Sequence, residues 1–382
     1  MKLLFVVNDI SFYGGLEKIV LKLSEYLIQN GFKVTILSLN KNNDKYYYEF
    51  DKNIKLDELK IPYIINSNNF FIKKIEEKRL KMRIKESVQE YLKKNKFDIM
   101  IGTFYQINDI MTELSGIKKI AWEHTHYYGY IDPEIHYLGL KGKFKKKYHE
   151  LIYFKIRKKK YLKLDKVIVL TKRDLKTWQK DLSNVEYIHN ALTTSNENKS
   201  INYDIENKRI VSVGRLEEQK GFIYLIDVFE EVLIQRPDWC LNIVGEGNNY
   251  NLLKEKIKTK KLDNNIKIIN FKNNIGEEYT KASMYISTSI FEGFGLVITE
   301  AMSYGLPIIA FDCYASPREL IKNNVNGLLC SNRNIKEMAK KIIYLIDNKE
   351  IRKKMSMNAT KESEKYKIDI IGERWKEIVE QL

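Results

Sequence analysis

Short apolar runs without an in–out alternation recur along this chain, each followed by a stretch with helical spacing. KLLFVVN (2–8), FKVTILSL (32–39), FDIMIGTF (97–104), KKIAWEH (118–124) and DKVIVLT (165–171) form a first set. A polar stretch, TTSNENKSINYDIENK (193–208), interrupts the pattern, which then restarts with RIVSVGRL (209–216), CLNIVGEG (240–247), IKIINF (266–271), MYISTSI (284–290) and PIIAFD (307–312). Runs apolar on both faces suit strands covered by helices on both sides, as in a parallel sheet. Intervening helices, such as LEKIVLKLSEYLIQNG (16–31), make the crossovers right-handed. The expected fold is α/β, with two Rossmann-like doubly wound domains facing a central cleft. The expected boundaries are 1–192 for the first domain, 193–208 for a linker and 209–366 for the second. Residues 367–382 are expected to form a C-terminal helix able to pack back on the first domain.

A length of 382 residues suits two such domains. The net charge of +16 points to anionic partners, with nucleic acid, an acidic membrane surface and phosphorylated small molecules as candidates. Cys240, Cys313 and Cys330 are widely spaced in apolar runs, which reads as reduced, buried thiols and not as a disulfide framework or a metal site. The start is too short to read as a signal peptide, and no run approaches the roughly 18 apolar residues of a membrane span. The expected location is cytoplasmic, peripheral at the inner membrane face.

In open α/β sheets ligands bind beyond the carboxyl ends of the strands, so the turns after strands carry the chemistry. FEGFGLVITE (291–300) follows one strand and opens a helix over roughly 296–304. Gly293 and Gly295 let backbone N–H groups approach a ligand, and the helix start adds uncommitted N–H donors with a positive dipole end. Glu300 shares a helix face with Leu296, where its carboxylate can accept both hydroxyls of a vicinal diol such as a ribose. Glu292, before the helix, lies nearer a reacting group. A solvated glutamate followed by a first-turn glutamate would read the same way in isolation.

The order VGRLEEQKG (213–221), IVGEG (243–247), E-x7-E (292–300) and DCYASPRELI (312–321) resembles the retaining family 4 glycosyltransferases of the GT-B fold. The resemblance implies transfer of a sugar from a nucleotide diphosphate sugar, UDP-linked, to a glycan or lipid-linked glycan acceptor in bacterial surface glycan synthesis. Within it, Arg215 and Lys220 would clamp the donor diphosphate, a role that agrees with the need for fixed cations where negative charge develops. Glu292 would hold the donor sugar and Glu300 the nucleotide ribose. Backbone amides of Phe294, Gly295 and Leu296 would touch sugar and phosphate. Gly245 and Glu246 would border the nucleotide, with Asn274 and Ile275 near the base. The family needs no bound metal for its chemistry, so no metal and no cofactor are expected. Ser316 stands where relatives often carry glycine, and IHNAL (188–192) varies the family's hinge while keeping Asn190.

In the first half, Gly14 and Gly15 lie between a strand and a helix but do not form a dinucleotide fingerprint. They resemble the family's Gly-Gly loop opposite the donor phosphates, with a plain tight strand–helix turn as the lesser alternative. His124, at a strand end in WEHTHY (122–127), matches the family's histidine near the donor sugar, and His126 is a second candidate. Two segments, 71–94 and 141–163, concentrate lysine and arginine among aromatic and aliphatic residues, which suits an anionic membrane surface. A solvated charged surface accounts for them equally well. No nucleic-acid module accompanies the charge, and nucleic acid is not expected as a partner. A nucleotide-sugar epimerase or phosphorylase on the same fold, a glycosidase built on the acid pair and a basic nucleic-acid-binding protein are the competing readings.

Overall fold

The computed structural model describes residues 1–62, 69–127, 143–144, 147–148, 153–194, 203–270 and 275–382. The chain forms two compact units; the C-terminal segment Ile368–Leu382 belongs to the first and Leu192–Lys367 to the second.

The first unit carries a seven-stranded sheet built from β1 (Lys2–Asp9), β2 (Lys33–Asn40), β3 (Lys55–Glu58), β4 (Ile99–Gly102), β5 (Lys118–Trp122), β6 (Lys166–Val169) and β7 (Val185–Tyr187). Its order is β3-β2-β1-β4-β5-β6-β7, and every pairing is parallel. Leu3–Val7, Ile99–Ile101 and Val167–Val169 are fully buried, because these strands are covered on both faces. The closing helix, Ile368–Glu380, packs on the helix Gly15–Gln29 of the same unit. Gly372 permits that contact, since a Cβ there would stand 2.3 Å from the Tyr26 ring. Trp375 is buried against Trp122 at 4.7 Å, and Arg374 donates to Tyr187 O at 2.6 Å.

The second unit carries a six-stranded parallel sheet from β8 (Arg209–Val213), β9 (Cys240–Val244), β10 (Ile266–Ile269), β11 (Met284–Ser287), β13 (Ile308–Phe311) and β15 (Gly327–Cys330). Its order is β10-β9-β8-β11-β13-β15. A small ladder pairs β12 (Phe291–Glu292) with β14 (Tyr314–Ala315). Leu225 and Phe229 of the helix Phe222–Gln235 and Met338 and Ile342 of the helix Ile335–Asp347 join Ile210, Ile243 and Ile286 in one core. Residues 203–208, read from sequence as linker, pack on this unit: Tyr203 OH donates to Ser283 O at 2.8 Å and Arg352 donates to Ile205 O at 2.5 Å.

The doubly wound α/β architecture is the one expected from sequence. The edge strands β3, β7 and β15 are absent from that reading. β3, KLDE, is polar and β7, VEY, has only three residues, so apolarity and length do not mark those two; β15, GLLC, is as apolar and as long as β4.

Candidate active site

The second sheet reverses between β8 and β11: the chain runs from β8 through β9 to β10, then returns to β11 and continues through β13 to β15. At such a reversal the following helices diverge to opposite faces and leave a crevice beyond the strand ends. The turns 214–221 and 288–295 leave β8 and β11 at this point.

The two turns are stitched together. Ile290 N–H donates to Gln219 O at 2.8 Å, the Gln219 side chain donates to Phe291 O at 3.1 Å, and Thr288 Oγ1 donates to Lys220 O at 3.1 Å. Gly221 has φ +61°, and a Cβ would stand 2.2 Å from Thr288 O, so this approach requires glycine. The stitching brings Lys220 Nζ to 2.5 Å from Glu292 Oε1, which also accepts from Ser289 Oγ at 2.7 Å. Both charged side chains are largely buried. Sequence reasoning gave Lys220 and Glu292 separate tasks; here they form one ion pair. Cys313 lies close enough to this pair that, after burial itself, the Glu292 charge is the main influence raising its thiol pKa well above the ordinary value. Arg215, on the same turn as Lys220, is exposed, and its guanidinium has no partner among the described residues.

The turn after β9 docks backbone to backbone on this assembly. Leu216 N–H donates to Glu246 O at 2.7 Å and Asn249 N–H to Leu216 O at 2.8 Å. A Cβ on Gly245 would meet Gly214 O at 1.9 Å, and one on Gly247 would meet Leu216 O at 2.7 Å. Glu246 is exposed at the rim.

The helix Leu296–Ser303 starts from Gly295, whose φ of +83° is left-handed, and no side chain caps its first turn. Its first N–H groups therefore stay available to an anion. Gly293 and Leu296 are half-buried, whereas Phe294 is buried against Tyr366 at 5.7 Å, so only its backbone can serve a ligand. Ser316 Oγ donates to Phe294 O and sits 2.9 Å from where a Gly295 Cβ would be. A residue given no role from sequence thus holds the glycine turn in shape.

Glu300 is buried among hydroxyls. Thr193 Oγ1 donates to Oε1 at 2.5 Å, and Tyr279 OH donates to Oε2 at 3.3 Å. Burial, then the Glu300 charge, raises the Tyr279 pKa well above its usual value, so the phenol stays a donor. Tyr279 belongs to the helix Gly276–Thr280, whose N-cap is the buried Ile275; Asn274 lies outside the described residues. Thr193, Tyr279 and Ser289 carry no mark in the sequence, and Ser316 stands out there only as a departure from the family's glycine, because single hydroxyls carry no spacing signal.

In the first unit the sheet reverses between β1 and β4, and Gly14 and Gly15 follow β1 as N-cap and first residue of the helix Gly15–Gln29. A Cβ on Gly14 would stand 2.3 Å from Glu17 Oε2, so the turn has room only for glycine unless Glu17 moves. His124 follows β5, its ring 4.5 Å from Trp122 and its buried Nε2 without a hydrogen-bond partner among the described residues. Burial pushes its pKa down to about 3, which keeps the imidazole neutral. His126 is buried beside it in sequence.

The neighbouring Glu123 accepts from Tyr161 OH at 2.6 Å and Asn108 Nδ2 at 3.0 Å, with Arg157 at 3.5 Å. Arg157 falls in the basic segment 141–163 read as surface. It is instead buried, with its guanidinium 4.0 Å from the Trp178 ring centroid. Cys313 and Cys330 are free and buried, and Cys240 is free and half-buried. Among the described residues no three His, Cys, Asp or Glu side chains are grouped to hold a metal ion, and no helix is long and apolar enough to cross a membrane.

Two parallel sheets with polar turns gathered at a topological reversal define a doubly wound α/β protein whose ligands bind beyond the carboxyl ends of its strands. Comparison with known proteins makes the class specific. The model of the Glycosyltransferase Family 4 domain matches residues 13–196, and that of the Glycosyl transferases group 1 domain matches 194–362. A glycosyltransferase of Haemophilus influenzae without assigned substrates is 31% identical over 99% of both chains. The amylovoran biosynthesis glycosyltransferase AmsD of Erwinia amylovora is 27% identical over 99% of both. The poly(ribitol-phosphate) alpha-N-acetylglucosaminyltransferase of Staphylococcus aureus is 28% identical over 84% of this chain and 64% of its own. Among solved structures, TarM aligns with a TM-score of 0.77 at 18% identity, over 98% of this chain and 97% of its own. Anabaena HepE, in complex with UDP and glucose, aligns at 0.75 and 16%, over the full length of both. The chain belongs to the family 4 glycosyltransferases of the GT-B fold.

Proposed function

We propose that this glycosyltransferase uses a UDP-sugar and transfers the sugar with retention of anomeric configuration to a glycan or lipid-linked glycan in bacterial surface polysaccharide synthesis. The observation that carries the reading is the Lys220–Glu292 pair, with the exposed Arg215 on the same turn as Lys220 and the uncapped helix start at Leu296. A diphosphate arriving there meets one open cation, one cation held by a carboxylate and a set of free N–H groups. As the C1–O bond to the diphosphate breaks, negative charge grows on the leaving oxygen, and these donors stabilise it. The acceptor oxygen bonds to C1 on the same face, and its proton passes to the departing diphosphate. In this reading Glu292, bridged to Lys220, binds donor-sugar hydroxyls and Glu300 receives the ribose diol. Burial keeps the His124 imidazole neutral, so it offers hydrogen bonds and no acid. The "alpha" in the name of the ribitol-phosphate relative supports retention, and the UDP and glucose bound to HepE support the donor class.

The protein is to be screened by thermal shift against nucleotide sugars, and transfer from the stabilising donor followed by NMR of the anomeric proton. A UDP-sugar should stabilise it and give an α-linked product from an α-linked donor. Glu300→Ala should weaken UDP binding on the order of tenfold or more, from the loss of charge-assisted hydrogen bonds. An inverted product would end the retaining assignment, and unchanged UDP affinity would end the role of Glu300. Activity should survive EDTA, since cations of the chain itself supply the charge.

A further inference from the structure

The helix Phe70–Lys94 has two apolar faces, and only one of them is used by the fold. Leu80, Ile84 and Val88 recur at i, i+4 and i+8 and are buried. On the opposite side Phe71, Ile75 and Met82 are 76%, 51% and 53% exposed, and Ile72 beside them is 49% exposed. At 100° per residue, Lys78 lies in line with this outer stripe, Arg79 and Arg83 run along one flank, and Glu86 closes it at the C-terminal end. Lys78, Arg79 and Arg83 are exposed, and none has an ion-pair partner among the described residues. Lysines on the inner side of the same helix are paired instead: Lys81 contacts Asp109 and Glu113, and Lys85 contacts Glu113 at 2.7 Å. Lys160, from the second basic segment, reaches the same Asp109 at 2.6 Å, and Ile156, one turn before it, is 57% exposed. The fold thus pairs the inward cations and leaves the outward ones open, next to bare aliphatic side chains.

We propose that this outer face of helix Phe70–Lys94 is a docking surface for an anionic lipid bilayer, with Phe71, Ile72, Ile75 and Met82 entering the headgroup boundary and Lys78, Arg79 and Arg83 contacting lipid phosphates. The combination selects the partner. A soluble polyanion would use the cations but gain nothing from four exposed apolar side chains, whereas an interfacial helix needs both. A protein groove would require a longer apolar line than one that Lys78 interrupts. The surface lies in the first unit, and none of its residues is one given a role toward the donor. It places the enzyme where a lipid-linked acceptor resides and rests on that part of the proposed function only for its purpose, not for its test.

The test is flotation of the whole protein with vesicles of phosphatidylcholine alone and of phosphatidylcholine with phosphatidylglycerol. Binding should need the anionic lipid and decline with salt. Lys78→Glu/Arg79→Glu/Arg83→Glu should reduce partitioning roughly 100-fold, from about a fivefold loss per surface cation. Ile72→Asp/Ile75→Asp/Met82→Asp should release the protein even at low salt. Both variants should keep the wild-type melting temperature and UDP-induced thermal shift, because the altered side chains are exposed. Wild-type protein that ignores anionic vesicles would overturn the proposal. So would aspartate variants that still float, since binding would then be diffuse attraction to a chain of net charge +16. Complete displacement by soluble polyphosphate would assign the cations to a polyanion and remove the bilayer as partner. Loss of UDP response in the wild type would count against the donor assignment and leave the vesicle result standing.

Discussion

Each unit buries a glutamate against a cation just past a strand end, and the two pairs are built for different ends. Glu123, after β5, is enclosed by Tyr161, Asn108 and Arg157, and Arg157 is itself flanked by the rings of Trp178 and Tyr161 at 4.0 and 5.0 Å. Arg157 also donates to Tyr127 O at 3.2 Å, and almost nothing of either partner reaches solvent. Glu292, after β11, has Lys220 and Ser289, and beyond them lie an exposed arginine, a glycine turn and a helix start with no cap. The first cation is walled in by aromatic rings. The second ends a flexible side chain that packs on Gly214, so it can swing to another anion while Glu292 keeps Ser289. A buried pair with every side occupied fixes a shape, whereas one with an open side can exchange partners.

Replacing each cation by methionine should separate the two most sharply. Arg157→Met leaves Glu123 charged and enclosed, so the protein should lose about 3–5 kcal/mol of stability in chemical denaturation. Lys220→Met should cost markedly less stability, while sugar transfer falls on the order of 10²–10³-fold through loss of a leaving-group contact. Equal destabilisation by both, with no excess loss of transfer in the lysine variant, would erase the distinction.

A second comparison uses acidity. Asp174, beside the first pair, accepts from Tyr127 N–H at 2.9 Å, and burial pushes its pKa up to about 7, against the opposing effects of that bond and of Arg157. A carboxyl raised in the fold above its unfolded value near 3.9 binds more protons folded than unfolded between those limits. Its contribution is complete below about pH 4 and is lost as the pH rises through about 7. Asp174→Asn cannot lose that contribution, so the melting temperature of wild type relative to this variant should fall from pH 4 to pH 7. His124 acts in the opposite sense: burial lowers its pKa to about 3, so its contribution is present above about 6.5 and lost on acidification. Subtracting the variant's curve cancels that slope. A flat difference would show that Asp174 is ionised and fully compensated.

The smallest expected effect concerns Glu300, which accepts from the hydroxyls of Thr193 and Tyr279. Thr193→Val keeps the shape and removes one donor to the carboxylate, which should weaken UDP binding about fivefold, the worth of an ordinary net hydrogen bond of about 1 kcal/mol. Isothermal titration at matched pH checks it. Tighter binding would mean that the threonine competes with the nucleotide for the carboxylate.

The doubly wound fold was legible because buried parallel strands must be apolar on both faces, and runs such as KLLFVVN and RIVSV announce themselves. The turns were legible because glycine is demanded where backbones nearly touch, as Gly221 against Thr288 and Gly245 against Gly214 show. These constraints are local, so they leave marks at fixed spacing. The union of Lys220 with Glu292 left no such mark: 72 residues separate them, and only the adjacency of β8 and β11 joins their turns. The inward turn of Arg157 was hidden for the same reason, since composition records its charge but not the Trp178 ring that shelters it. Nor does periodicity say which face of helix Phe70–Lys94 the core takes, because both faces carry apolar residues and packing against the helix Tyr105–Met111 decides it. The sequence by itself determined which elements form and which chemical groups stand at their ends. The tertiary structure alone decided which of those groups neutralise one another and which stay open, because charge pairing depends on distances that strand order sets and residue order does not.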